Sequence, residues 1–289
     1  LDAAVDTAIL NGAECEPYLT TDHRMMLEHP DRIIFGLEAI MKYLGLTNGY
    51  IGVEDNKGDA INVLRESLQD KDYIHVASLK TKFPQGESYR LVDSVTGRRV
   101  PLGGRTKDVQ TFVTNVSTSA AVADAIQDGK PLYERVVTVT GSGVKEPKNL
   151  IVKIGTSIAE LIAQCGGFNG NPGKIIAGGP MTGCTQFTLD APITKCITGI
   201  IVLTEEEAAY SKATPCIKCG KCVEVCPAFL QPLIISAYSL KDRYEDAEAY
   251  NALACIKCGS CSYICPAKRP LTESIAHAKK EITARRKKS

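Results

Sequence analysis

Cysteine spacing is the feature of this sequence that most directly implies chemistry. The segment CIKCGKCVEVCPA begins at Cys216, and a near copy, CIKCGSCSYICPA, begins at Cys255, 39 residues later. The copies agree at nine of thirteen positions, and each holds four of the chain's 12 cysteines. Both copies have the spacing Cys-x2-Cys-x2-Cys-x3-Cys-Pro. Each copy can therefore wrap three thiolates around one point while the fourth faces elsewhere.

This spacing is that of bacterial ferredoxins, in which the fourth cysteine of one copy ligates the other of two [4Fe–4S] clusters. It assigns to each cluster three thiols from one copy and one from the other. The first set is Cys216, Cys219, Cys222 and Cys265, and the second is Cys255, Cys258, Cys261 and Cys226. The proline after each fourth cysteine redirects the chain and has no N–H to leave unpaired. Two clusters close together form a path for single electrons.

The alternative is a pair of zinc sites, each held by four cysteines. Zinc sites usually take their ligands from two separated Cys-x2-Cys pairs, whereas here four cysteines lie within eleven residues, twice. The spacing therefore favours iron–sulfur clusters. The other cysteines share no short metal spacing, and we expect them to be buried core residues. They are Cys15, Cys165, Cys184 and Cys196.

Composition limits the class of protein. The chain has 289 residues, enough for two or three domains, and no apolar run approaches the roughly 18 residues of a membrane span. No signal peptide opens it, so clustered cysteines indicate metal rather than disulfides. From Cys216 onward there are 13 Lys/Arg and 7 Asp/Glu, a net charge of +6, which leaves −5 for the remainder of a chain whose total is +1.

The front part alternates short apolar strands with helical stretches. The expected order is strand VDTAIL, helix HPDRIIFGLEAIMKYLGL, strand GYIGVED, helix KGDAINVLRESLQD and strand DYIHVASL. This order predicts a parallel sheet covered by helices, with ligands at the carboxyl ends of its strands. NGAECEP (11–17) and KFPQGESYRL (82–91) follow the first and third strands, so we expect them to form a ligand site. Neither G-x-G-x-x-G nor a P-loop is present.

The part of the chain after the first cysteine copy reads as helical. The 27 residues between the copies are mostly good helix formers with apolar residues at helical spacing. After the second copy, LTESIAHAKKEITARRKKS is predicted to be a helix with Thr272 as its N-cap. We therefore expect an all-α, ferredoxin-like module with two clusters.

Motifs spread over the whole chain carry a family resemblance. They are NGAECEPYLTTDHRMM, FPQGE, TNVST (114–118), GSGVKEPKNLIVKIGTSIAELI, GGPMTG (178–183) and the two cysteine copies. In this order they resemble the C subunit of the Rnf complex, an ion-translocating ferredoxin:NAD oxidoreductase. More distantly, the chain is similar to the NADH-binding flavoprotein subunit of respiratory complex I.

The resemblance implies that FMN binds the front domain, with NADH stacking on it. It places Asn11, Glu14 and Glu16 in the flavin and nicotinamide pocket. Its Gly-Glu pair, which lets the dinucleotide approach, matches Gly86 and Glu87. The turn that holds the flavin phosphate end matches Thr114, Asn115 and Val116. The helix that follows Asn115 has an N-terminus that favours anions, and Glu14 and Glu87 are acceptors for ribose or carboxamide groups.

The resemblance also gives a domain division. We expect a Rossmann-like α/β domain for FMN and NADH over residues 1–132, a small β-grasp (SLBB) domain with no chemistry over 133–204, and the two-cluster domain over 205–289. The family's Gly-rich flavin loop would precede this sequence, so we expect an upstream portion. Ala13 also stands where complex I has an acidic residue.

The function implied is that of a peripheral electron-transfer subunit at the cytoplasmic face of the cell membrane. Electrons would pass between NAD(H), FMN and two [4Fe–4S] clusters, with no catalytic side chain assigned. The partners would be other subunits of a membrane complex and ferredoxin-type carriers, and transport of Na⁺ or H⁺ would be coupled to the reaction. Two alternatives stay open: a cobalamin reductase with the same cofactors, and a non-catalytic iron–sulfur relay or scaffold.

Overall fold

The computed structural model describes residues 5–209 and 212–287. The chain divides into two compact units, Leu1–Ala208 (unit 1) and Ala209–Ser289 (unit 2). Each unit has hydrophobic cores of its own.

The first half of unit 1 is a parallel sheet with helices around it. Its strands are β1 (Thr7–Asn11), β2 (Gly49–Glu54), β3 (Ile74–Leu79) and β4 (Thr111–Asn115). Its helices are α1 (Thr21–Glu28), α2 (Pro30–Leu44), α3 (Gly58–Ser67), α4 (Ser88–Thr96) and α5 (Val116–Asp128). The strand order is β3-β2-β1-β4, with every pairing parallel. The predicted parallel α/β sheet is confirmed, and its order switches direction between β1 and β4.

Helix α2 shows how the sequence sets these elements. Pro30 stands at its first position, where a missing N–H costs nothing. Gly45 ends it with a φ of 69°, a left-handed conformation that glycine adopts without strain. Its apolar face, with Ile33 and Leu37 fully buried, packs in one core with strands β1 and β2. That packing fixes the strand ends from which the candidate site is built.

The second half of unit 1 is a mixed sheet with one helix. Its strands are β5 (Glu134–Thr140), β6 (Lys148–Lys153), β7 (Pro172–Ala177), β8 (Cys184–Gln186) and β9 (Gly199–Thr204), and its helix is α6 (Ile158–Gln164). The order is β6-β5-β9-β7-β8, in which β5 and β9 are parallel. Cys165 is buried in this core as expected. Cys184 and Cys196 are exposed, so their interpretation as core residues is wrong, because each lies on a surface segment.

Unit 2 is helical, as predicted. Its helices are α7 (Lys221–Glu224), α8 (Pro232–Ser239), α9 (Tyr244–Ala249), α10 (Ser260–Tyr263) and α11 (Leu271–Arg286). Ile235 of α8 packs with Ile275 and Ile282 of α11 at the centre. The predicted Thr272 cap is wrong: α11 begins at Leu271, so Pro270 is its N-cap residue, and the Thr272 N–H in the first turn donates to the Ser262 hydroxyl at 2.8 Å. Among the described residues, no helix is both long and apolar enough to cross a membrane.

The contact between α2 and α5 depends on Gly36. A Cβ added there would lie 1.9 Å from the carbonyl oxygen of Ser119, and the Ser119 hydroxyl donates to the Ile33 carbonyl at 2.8 Å. We expect Gly36→Ala to lower the free energy of unfolding by about 3 kcal/mol, because the helices must separate. Thermal denaturation followed by circular dichroism should show a fall of roughly 6 to 12 °C.

The control is Gly58→Ala at the start of α3. A Cβ there meets nothing within 4 Å, so this variant should change stability by less than about 1 kcal/mol, in the stabilising direction. Equal melting temperatures for both variants would contradict the close helix approach.

Candidate functional site

Three loops meet at the point where the strand order of the parallel sheet reverses. Asn11 ends β1, Asn115 ends β4, and the two are register partners. The Asn115 side-chain amide donates to the Asn11 carbonyl at 3.3 Å. Asn11 in turn donates to the Gly86 carbonyl at 2.7 Å, in the loop after β3. The predicted site residues are thus gathered at the switch point, where open α/β sheets bind ligands. We call this region the crevice.

Gly86 allows two of these loops to touch. A Cβ there would lie 2.3 Å from the Ala13 carbonyl oxygen. The Gly86 N–H donates to the Cys15 sulfur at 3.4 Å. Cys15 is half-buried, and burial raises the pKa of its thiol above the ordinary value. Gly86 is therefore required by the packing of the crevice itself.

Glu14 and Glu87 are both fixed by helix N-termini. Glu14 accepts from the Thr21 hydroxyl at 2.9 Å and from the N–H groups of Asp22 and His23 at 3.0 and 3.1 Å. Glu87 caps α4, because its Oε2 accepts from two N–H groups of the first turn at 3.0 and 3.2 Å. Each carboxylate has about four lone-pair directions, so both retain acceptor capacity while held rigidly.

Asp22, in α1, is a buried carboxylate beside the start of α5 that sequence patterns did not reveal. It is 8% exposed and accepts from the Asn115 side-chain amide and the Ser117 hydroxyl, both at 2.7 Å. Burial, with the nearby charge of Glu14, raises its pKa to about 6. The helix N-terminus that was expected to attract a phosphate thus has a carboxylate of the chain itself beside it.

The other predicted site residues, Glu16, Thr114 and Val116, contact or are buried against other parts of unit 1. Glu16 accepts from the Met181 N–H at 3.1 Å and from the Thr182 hydroxyl, so it ties the crevice to the loop between β7 and β8. Val116 is fully buried in the core of the parallel sheet. Thr114 is half-buried in β4.

A buried ion pair, Lys57 with Glu54, contacts the segment that contains Glu14. Lys57 Nζ lies 3.3 Å from Glu54 Oε2 and donates to the Glu14 carbonyl at 3.2 Å. Glu54 also accepts from the Lys82 N–H at 3.1 Å. The pair joins the ends of β2 and β3 to the segment after β1. Its only sequence signal was a charged stretch directly after the second strand.

In unit 2, the structure gathers the cysteines into two groups. We call Cys216, Cys219, Cys222 and Cys265 the outer ring, and Cys226, Cys255, Cys258 and Cys261 the inner ring. Each ring lines a cavity of its own. The members are the same two sets that the spacing assigns, each with one thiol from the other copy.

The two cysteine loops share one backbone conformation. Lys218 and Lys257 have φ values of 58° and 56°, and the glycine two residues later in each copy has 79° or 82°. The N–H groups of these lysines donate to the sulfurs of Cys216 and Cys255, both at 3.4 Å. The positive φ of Gly220 and Gly259 accounts for glycine at these positions, because other residues adopt that conformation with strain.

The thiol rings fit an iron–sulfur core. Among the described residues, no three Cys, His, Asp or Glu side chains converge as ligands of a single ion would. The four thiols of each ring instead surround a cavity, with peptide N–H groups aimed at sulfur. Thiolates spaced around a volume, with N–H donors, are what a [4Fe–4S] cluster needs.

The inner ring is the more enclosed of the two. Cys261 is buried, and burial raises its pKa to about 11. The Thr272 hydroxyl, in the first turn of α11, lies 3.4 Å from its sulfur. Lys279 Nζ donates to the Cys255 carbonyl at 2.9 Å. In the outer ring, by contrast, Cys216 and Cys219 are exposed.

The burial of Asp22 predicts a pH-dependent stability. Because its pKa in the folded state lies above the ordinary 3.8, the unfolded chain loses this proton first. The parent therefore loses stability as pH rises from about 4 to about 6. Asp22→Asn has no proton to lose, so its free energy of unfolding, relative to that of the parent, should rise by about 2.5 kcal/mol between pH 4 and pH 7. Urea denaturation at several pH values measures this gain; a constant difference would contradict it.

Membership of the rings predicts which cysteine variants behave alike. Replacing Cys265 by Ala should remove the same electron paramagnetic resonance (EPR) signal as replacing Cys222, and Cys226→Ala should remove the same signal as Cys258→Ala. Each variant should keep about half of the parent's reduced spins, since one ring stays intact. If Cys265→Ala instead matched Cys258→Ala, each copy would hold its own cluster, and the cross-copy assignment would be wrong.

Three domain families match the chain. Residues 1–124 match the Nuo51 FMN-binding domain, residues 136–185 the SLBB domain, and residues 208–266 the 4Fe-4S dicluster domain. These descriptions imply FMN and two [4Fe–4S] clusters. They also agree with the fold predicted from the sequence.

Several known proteins are similar over nearly the whole chain. The C subunit of the Na(+)-translocating ferredoxin:NAD(+) oxidoreductase complex of Acetobacterium woodii is 48% identical over 287 residues, which is 99% of this chain and 65% of that protein. The C subunit of the proton-translocating complex of Clostridium ljungdahlii is 47% identical, covering 98% and 62%. The chain thus spans a little under two thirds of the length of these relatives.

Solved structures show the fold more broadly. The NAD+-reducing [NiFe]-hydrogenase in the H2-reduced state matches 98% of this chain and 55% of its own, with a TM-score of 0.61 and 13% identity. At 13% sequence identity, this match shows only that the two chains share a fold. The motifs, the three domain families and the relatives above agree, and the chain belongs to the family of C subunits of ion-translocating ferredoxin:NAD(+) oxidoreductases.

Proposed function

We propose that this chain exchanges electrons between NAD(H) and two [4Fe–4S] clusters by way of FMN. The observation that carries the proposal is the presence, in one chain, of a crevice at the switch point of a parallel sheet and of two thiol rings, each built from three cysteines of one copy and one of the other. The FMN-binding and dicluster domain matches support it. When bound, FMN can take two electrons from NADH as a hydride and release them singly.

In this proposal the crevice residues bind and orient the flavin and the dinucleotide. Asn11 and Asn115 present amide and carbonyl groups at the adjoining ends of β1 and β4, with the half-buried Thr114 beside them, while Val116 supports them from the core. The carboxylates of Glu14 and Glu87 accept from substrate hydroxyl or amide groups. Their helix caps hold them in place, so little side-chain entropy is lost when a ligand binds.

The other predicted positions act indirectly. Gly86 keeps the segment before Glu87 against Ala13, which sets where Glu87 stands. Glu16 holds the loop of residues 178–183 beside the crevice. We propose the domain division 1–132, 133–204 and 205–289, with the middle domain joining and orienting.

For the whole protein, we propose ferredoxin:NAD(+) oxidoreduction coupled to ion movement. The relatives named above are called Na(+)-translocating and proton-translocating, and the chain leaves the coupling ion open. The partners would be the other subunits of a membrane complex and ferredoxin-type carriers. The place would be the cytoplasmic face of the membrane, held there by those subunits.

One observation favours a second candidate, a relay without nucleotide. Glu14, Glu16 and Glu87 all accept hydrogen bonds from the chain itself. If these bonds are their whole role, unit 2 would carry electrons that enter elsewhere.

Glu87→Gln separates the two candidates. Glutamine keeps an oxygen that can cap α4 but removes the charge, so the fold should persist. We expect the KM for NADH to rise on the order of 10-fold or more, since a hydrogen bond to a charged group contributes about 1.5–3 kcal/mol. Anaerobic NADH oxidation by ferricyanide with FMN-loaded protein gives the measurement.

The control is Glu66→Gln, an exposed position near the end of α3, which should leave KM unchanged. Unaltered NADH kinetics in Glu87→Gln, at an unaltered melting temperature, would contradict the NADH role and favour the relay.

A further inference from the structure

The two thiol rings arise from similar sequences but meet solvent differently. Cys216 and Cys219 of the outer ring are exposed, and Ile217 between them is 67% exposed. In the inner ring, Cys261 is 8% exposed, and Ile256, the counterpart of Ile217, is half-buried. The outer ring is therefore the accessible one.

Positive charge follows the same asymmetry. Lys221 and Arg269 line the outer cavity, whereas the equivalent positions of the other copy are Ser260 and Leu230. The residues that line the inner cavity include no charged side chain. One lysine does reach the inner ring from outside that lining, because Lys279 Nζ donates to the Cys255 carbonyl at 2.9 Å. Among the residues that line the two cavities, positive charge is thus confined to the outer ring, the ring with exposed cysteines.

The acidic residues of unit 2 do not cancel this charge. Those of α9 are paired with arginines: Glu245 with Arg285 at 2.9 Å, Asp246 with Arg243 at 2.7 Å, and Glu248 with Arg286. Within residues 5–209 and 212–287, no carboxylate lies at ion-pair distance from Lys218 or Lys221. One acid, Glu224, is exposed on the same short helix as Lys221.

Exposed apolar groups stand among these lysines. Ile217, Val223 and Val225 are 67%, 38% and 36% exposed. Apolar side chains surrounded by charged ones are typical of protein interfaces. The charges steer the two proteins together, and the apolar contact stabilises the complex. We call Ile217, Lys218, Lys221, Val223 and Arg269 the outer-ring patch.

We propose that the outer-ring patch docks an acidic electron-carrier protein, and that electrons enter or leave unit 2 through the outer ring. This rests on the proposed function, because it requires clusters in the rings. The exchange moves one electron: the carrier's redox centre is oxidised as the group in the outer ring is reduced, or the reverse. No bond forms or breaks and no proton moves. The inner ring, enclosed by apolar side chains, exchanges electrons within the chain.

Lys221→Glu tests the patch, and Lys257→Glu is its matched control. Both replace an exposed lysine beside a cysteine loop and change the charge by two, but Lys257 belongs to the inner-ring copy. The probe is a purified acidic ferredoxin with two [4Fe–4S] clusters, titrated anaerobically by calorimetry at 20 and 200 mM salt. We expect Lys221→Glu to raise Kd about tenfold at the lower salt and less at the higher, because salt screens the attraction. Lys257→Glu should change Kd less than twofold.

The outcomes separate this proposal from the function on which it rests. With two clusters confirmed by iron and sulfide analysis, equal effects of the two variants, or none, would overturn the docking patch and leave the function standing. If the parent held no clusters but Lys221→Glu still weakened binding, the patch would stand as an interface and its electron role would fail. Loss of binding to phosphatidylglycerol vesicles, with ferredoxin binding unaltered, would also overturn the proposal, since the patch would then serve a membrane surface.

Discussion

The sharing of cysteines between the two copies is the constraint on which unit 2 depends. Neither ring can close within its own copy, so the copies must be held side by side by the helices between and after them. The contact of α8 with α11 does this. At that contact the Ser239 hydroxyl donates to the Ser274 carbonyl at 2.6 Å, and the Ser274 hydroxyl donates to Ser236 at 2.7 Å. These small, mutually satisfied polar groups let the two helices approach closely while Ile235 and Ile275 fill the core beside them.

In unit 1, several carboxylates lie close together and must be held in place. Glu14 and Glu87 accept hydrogen bonds from backbone N–H groups at helix N-termini, where the helix dipole favours negative charge. Asp22 accepts instead from the side chains of Asn115 and Ser117 at the start of α5. Asp22 is the most enclosed, and its raised pKa of about 6 is the cost of that burial. The same bonds that stabilise the carboxylates also orient them. A ligand in the crevice would thus meet groups whose positions are already set.

The sequence predicted what local spacing can encode. Thiol membership of the rings follows from cysteines a few residues apart, and the parallel sheet follows from alternating strands and helices. Contacts between distant residues could not be read in this way. The partner of Glu16 lies 165 residues further along the chain and that of Asp22 lies 93. The Thr272 cap prediction is wrong because α11 begins at Leu271, which puts this threonine inside the first turn, where its hydroxyl lies against Cys261.

The central claim is a continuous path from NADH to two clusters, and one anaerobic titration tests it most directly. The protein is loaded with FMN, NADH is added in stoichiometric steps, and EPR spectra are recorded on the same sample. We expect NADH to reduce both clusters, with two signals broadened by their mutual interaction. If dithionite reduced both clusters but NADH reduced neither, the two clusters could still transfer electrons to each other. The crevice would then not be where electrons enter.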